Sequence, residues 1–169
     1  MTQMITPEEI RSIVLARKAY DVAIFKDSII DAAEQEYIKA IIGKDLYAAI
    51  RTQYLADNLS AENLLLVNTY LKPILAYYVL ILCLPTMMVD ISSAGLQINQ
   101  TEFSNPISSS LRAEVAQGYL SIAKTYTEKA IEFIEDAQEA DSEAYELYTS
   151  GDNIENTTSI TGGIILDEE

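Results

Sequence analysis

Histidine and tryptophan are absent from this 169-residue chain, cysteine occurs once, and there are only six glycines and four prolines. Without histidine there is no Ser-His-Asp or Cys-His constellation, and the usual general base near neutral pH is missing. The same absence removes the Glu-x-x-His pairs of di-iron helical bundles. The single cysteine, Cys83, cannot close an intrachain disulfide, and with no histidine beside it no structural zinc site can form. It lies in the apolar run ILAYYVLILCL, where a thiol behaves as a small hydrophobe, so it is expected to be buried and inert. No phosphate-cradling GxxxxGK[ST] or GxGxxG occurs, and no EF-hand loop. Ser121 and Lys124 match Ser-x-x-Lys by chance in mid-helix, with no companion motif. The sequons at Asn58, Asn99 and Asn156 matter only in a secreted eukaryotic protein. The chain is therefore expected to be no enzyme, with no catalytic, cofactor-binding or metal-ligating residues and no cofactor.

Bases are also scarce: 11 Lys and Arg stand against 26 Asp and Glu, a net charge of −15. Residues 1–127 hold 13 acids and 10 bases, whereas 128–169 hold 13 acids and one base, Lys129. The acidity thus belongs to the C-terminal quarter. Such a field repels phosphate backbones and argues against sequence-specific nucleic-acid binding. It is either a solvated face running into a solubilising tail, or a surface that meets a basic partner or lets nucleic acid pass without sticking. Apolar residues make up 49% of the chain, which excludes global disorder. A globule of this length buries roughly 70% of its unfolded surface, enough for a real core. The N-terminal MTQMITPEEIRS lacks the pattern of a signal peptide. The longest apolar stretch, from Ile74 to Val89, contains Pro85 and falls short of the roughly 20 residues of a bilayer span. It is expected to be a buried core helix, with no membrane as partner.

Helix formers and helical periodicity predict an all-α fold, a bundle of about five helices over 1–150 followed by an acidic C-terminal arm over 151–169. Thr6, Pro7 and Glu9 form a Thr-x-x-Glu capping box for a first helix to about Arg17, with Ile5 and Ile10 spaced as a hydrophobic staple. YDVAIFK (20–26) is a connection or a short strand. Asp27 or Ser28 should cap a second helix with a stripe of Ile30, Ala33, Tyr37 and Ile41, closed by a left-handed Gly43. Asp45 should cap a third, angled against it, with Leu46, Ile50 and Tyr54 on one face. Ser60 starts the fourth and most apolar helix, which Pro73 should kink or divide and Pro85 should end. Most of the 11 tyrosines fall on these helices and are expected to pack there, with some available for interfaces.

From Asp90 to Ser110 the helical period vanishes, leaving isolated apolar residues at Ile91, Leu96, Ile98 and Phe103. Alternation around LQIN suggests an extended loop or a small hairpin, and so long an irregular stretch is often functional. The last helix carries Leu111, Val115, Tyr119, Ile122, Tyr126, Ala130, Phe133 and Ala137 as a sustained seam, suited to a coiled coil or to a bundle. Opposite it, Glu128, Glu132, Glu135 and Glu139 form an acidic ridge whose mutual repulsion costs a few tenths of a kcal/mol per pair. The arm ends in an apolar hook, Ile164, Ile165 and Leu166, suited to a groove or a sheet edge on a partner.

The segment SIIDAAEQEYIKAIIGKDLYAAI resembles the helix–Gly–helix opening of head-to-tail connector proteins of tailed bacteriophages. YLKPILAYYVLILCLPTMMVDISSAGLQINQTEFSNP, followed by a long helix, looks like the connector or ring proteins of crAss-like and related Bacteroidetes phages. The resemblance implies a virion subunit, made in the bacterial cytoplasm, that forms a cyclic ring beneath the portal, commonly sharing its twelvefold symmetry. Its partners would be its own copies, the portal protein and the tail or ring proteins, with DNA passing through the channel. On that reading Ile91, Leu96, Ile98, Phe103, Ile164, Ile165 and Leu166 contact partners, and the ridge from Glu128 to Glu139 lines the channel. Two other classes stand beside it: a stand-alone acidic helical binding module or nucleic-acid mimic, and an enzyme using carboxylates or a bound metal.

Overall fold

The computed structural model describes residues 3–14, 21–92, 95–98 and 109–148. The fold is all-α, with five helices and one small hairpin among the described residues. Helix α1 (Pro7–Val14) opens on the expected capping box: Glu9 N donates to Thr6 Oγ1 at 3.2 Å, and Thr6 N donates to Glu9 Oε2 at 2.8 Å. Ile5 and Ile10 are both fully buried beside it. The connection after it is not a strand, because Val22–Ile24 forms a 3-10 turn capped by Asp21, whose Oδ1 accepts from Ala23 N at 3.0 Å. Aspartate capping its own backbone two residues on is a local bond that a strand cannot offer.

Helix α2 occupies 27–42: Asp27–Ala33 is α-helical, Glu34–Ile38 forms a π-turn, and Lys39–Ile42 resumes the α-helix. The extra residue in the π-turn rotates the last turn of the helix, so Tyr37 and Ile38, then Ile41 and Ile42, all reach the core. Neither Asp27 nor Ser28 is the cap. Asp27 is already helical, and Lys26 precedes it without a side-chain cap. Asp45 likewise lies inside the first turn of α3 (Lys44–Leu55), where its charge still faces the positive end of the dipole. Gly43 serves both helices at φ 82° and ψ 158°, a conformation that only glycine adopts without strain.

Ser60 caps α4, accepting from Asn63 N at 3.2 Å. This helix spans 61–88: Ala61–Leu66, a π-turn at Val67–Leu71, then Lys72–Met88. Pro73 does not divide it. The proline cannot donate to the preceding turn, and the wider π-turn just before it absorbs the missing bond. Pro85 does not end it either, since the helix continues to Met88 and loses one hydrogen bond near its terminus. Ile74, Leu75, Ala76, Tyr78, Val79, Leu80 and Cys83 are all buried, and α4 packs against α1, α2 and α5 (Ser109–Ala140). The region Ala61–Pro85 is long and apolar enough to cross a membrane, and 56% of its most apolar window is covered by the rest of this bundle.

Aromatic pairs join α4 to its neighbours. Tyr78 stacks on Tyr37 with centroids 3.9 Å apart, Tyr70 meets Phe133 at 5.3 Å, and Tyr77 lies between Tyr119 and Tyr126 at 6.1 and 6.3 Å. Lys72 Nζ donates to Glu9 Oε1 at 2.6 Å and ties α1 to α4. Beyond α4, β1 (Val89–Ser92) pairs antiparallel with β2 (Gly95–Ile98), with Ile91 opposite Leu96 and Val89 opposite Ile98. The alternation around LQIN thus marks a hairpin and not an open loop.

Candidate interaction surfaces

The apolar residues of α5 divide into two stripes, not one seam. Ala123, Thr127, Ala130 and Ile134 are buried at steps of 4, 3 and 4, facing the core. Leu111, Val115, Gly118 and Ile122 follow the same steps, rotated by about 100° because each begins one residue out of phase with the buried set. On that second stripe Leu111 is 46% exposed, Val115 38% and Ile122 39%. Around Gly118 a Cβ would meet nothing within 4 Å. Of the expected seam, Ala130 is buried and Tyr119, Tyr126, Phe133 and Ala137 are half-buried, while Leu111, Val115 and Ile122 are exposed. Small residues at Ala123 and Ala130 let α5 approach α4 closely there, whereas the N-terminal stripe faces outward.

A groove of about 640 Å³ opens at the other end of α5. Its walls are the end of α3 (Leu46, Ala49, Gln53), the start of α4 (Ser60, Glu62, Asn63), and the segment from Ala137 to Leu147. After α5 the chain turns back sharply, and Gln138 Nε2 holds this turn by donating to the carbonyls of Tyr145 and Tyr148 at 3.0 and 3.3 Å. Tyr145 adopts φ 49°, a left-handed conformation unusual for an aromatic residue, and its ring lies edge-on to Phe133. Burial, and then the charge of Glu62, push the Tyr145 hydroxyl up to about 12. The groove's aliphatic lining is alanine and leucine (Leu46, Ala49, Ala137, Ala140, Ala144 and Leu147), and its charged lining is Glu62, Asp141, Glu143 and Glu146, with no Lys or Arg among the lining residues. Leu147 on the rim is 50% exposed, as are Leu55, Leu64 and Leu65 (53%, 49% and 50%) on the two helices that wall it.

The charged cluster inside the fold has a different character. Glu34 is fully buried; its Oε1 accepts from Tyr47 Oη at 2.8 Å and its Oε2 from Met4 N at 3.2 Å. Arg51 Nη1 lies 3.6 Å from the carboxylate and donates to Tyr47 Oη at 2.7 Å, while Gln35 Nε2 donates to the same oxygen at 2.8 Å. Burial, with the hydrogen bond to Glu34, pushes the Tyr47 hydroxyl up to about 12. A carboxylate this deep is tolerated because its charge is matched by Arg51 and its lone pairs are occupied. It anchors the segment before α1 to α2 and α3. The sequence did carry a signal for it: Glu34 falls in the stripe Ile30, Glu34, Tyr37 and Ile41, where a solvated acid has no place.

Cys83 is buried as expected, with Sγ 3.6 Å from the carbonyl of Ile24, and burial pushes its thiol up to about 11. Among the described residues no group of His, Cys, Asp or Glu is placed to hold a metal ion. Glu128, Glu132, Glu135 and Glu139 are all exposed on α5, with Asp136 beside them. Ile91, Leu96 and Ile98 lie in the hairpin, whose backbone pairing is described but whose side chains are not. Phe103 and the hook of Ile164, Ile165 and Leu166 lie outside the described residues. The groove itself was not anticipated, because its walls come from three separate segments.

The chain belongs to the group described as "Family of unknown function (DUF6712)", whose model matches residues 38–158, from the π-turn of α2 through α5 and into the arm. Neither a curated protein nor a solved structure matches it.

Proposed function

We propose, for this member of a family without an assigned role, that it is a structural subunit of a phage head-to-tail connector ring. It would join the portal to tail components and extend the DNA channel, working by holding chains together and not by catalysis. The observation that carries this reading is the placing of exposed hydrophobics. The seven large apolar side chains exposed among the described residues all lie on the N-terminal half of α5 or on the elements that wall the groove. Scattered exposed leucines need no explanation, whereas grouped ones on a soluble helical scaffold mark contact surfaces. The exposed ridge from Glu128 to Glu139 supports the channel role, since a negative lining repels the DNA backbone and lets it slide.

A second reading has its own support. An apolar groove with an acidic rim also fits a basic amphipathic helix from another protein, as a binding module would use it. Light scattering across a concentration series, with negative-stain images of the same samples, separates the two. Closed particles of many subunits with a central hole are expected. A species that stays monomeric at every concentration and captures a basic partner one-to-one favours the module and removes the ring.

A further inference from the structure

We draw no further inference here: the strongest candidate, the groove between the end of α3, the start of α4 and the turn after α5, pairs an aliphatic lining with four acids, and nothing in the structure shows what covers it.

Discussion

The two halves of α5 are built from the same residue types at the same spacing and end in opposite circumstances. Around Ala123 to Ile134 the apolar positions are buried against α4, and the residues opposite are Glu128, Glu132, Glu135 and Glu139. Around Leu111 to Ile122 only Tyr119 and Leu120 lean on the core, the stripe of Leu111, Val115 and Ile122 is exposed, and acids are almost absent. A helix period fixes which residues share a face, but burial requires a neighbour to cover that face. Where a neighbour exists the opposite side carries charge; where none exists, charge on the apolar side would bar any later contact.

The contrast can be tested first by raising the pH, which should attack only the packed side. Tyr37, Tyr47 and Tyr145 are each pushed up to about 12, in every case chiefly by burial, while the unfolded chain ionises near 10. Protons are then held more tightly by the folded chain, so stability is unchanged below pH 10 and falls as the pH rises through 10 to about 12. Each such tyrosine can remove at most about 1.4 kcal/mol per pH unit in that window. Chemical denaturation at a series of alkaline pH values, with ultraviolet titration of the phenols, should find these hydroxyls ionising with unfolding. Phenols that ionise near 10 in a chain that stays folded would show the packed side to be open.

Next in size is a pair of equal truncations. Ile134→Ala, in the buried stripe, should cost about 2–5 kcal/mol in urea unfolding. Ile122→Ala, one stripe away, should stay within about 0.5 kcal/mol for the isolated chain. Equal costs would mean that the two halves are packed alike, and the distinction would fall. Gly118→Ala sharpens it from the other side. Nothing occupies the space around Gly118, and alanine favours helix, so the isolated chain should gain about 0.5–1 kcal/mol. A loss would place a neighbour against that position. The smallest effect is expected at the acidic end. Glu139→Gln should gain about 0.3–1 kcal/mol by relieving repulsion from Glu135 and Asp136 and an unfavourable helix dipole. High salt should shrink the gain, because the charge is exposed.

Signals that act over a few residues could be read directly from the chain. The capping box of Thr6 and Glu9, the Ser60 cap and the Gly43 break each depend on bonds or torsions made locally, and each is present. The core helix around Tyr78 was legible because it is apolar on every side, so any packing buries it. The errors share a different cause. The caps expected of Asp27 or Ser28 and of Asp45, and the stop expected of Pro85, were local preferences overridden by packing that carries more free energy than a cap or one hydrogen bond. The balance at Glu34 is not legible in one segment, because its partners Met4, Tyr47 and Arg51 come from two others.

By itself the sequence determined the all-α class, the helix that forms the core, the charge divided between the two ends and the lack of catalytic histidine or zinc ligands. These properties stem from composition and from spacings shorter than two helical turns. Only the tertiary structure decided which apolar stripe of α5 is covered, where the groove opens and how a buried carboxylate is balanced. Each depends on residues far apart in the chain meeting in space, and periodicity along one helix says nothing of what lies beside it.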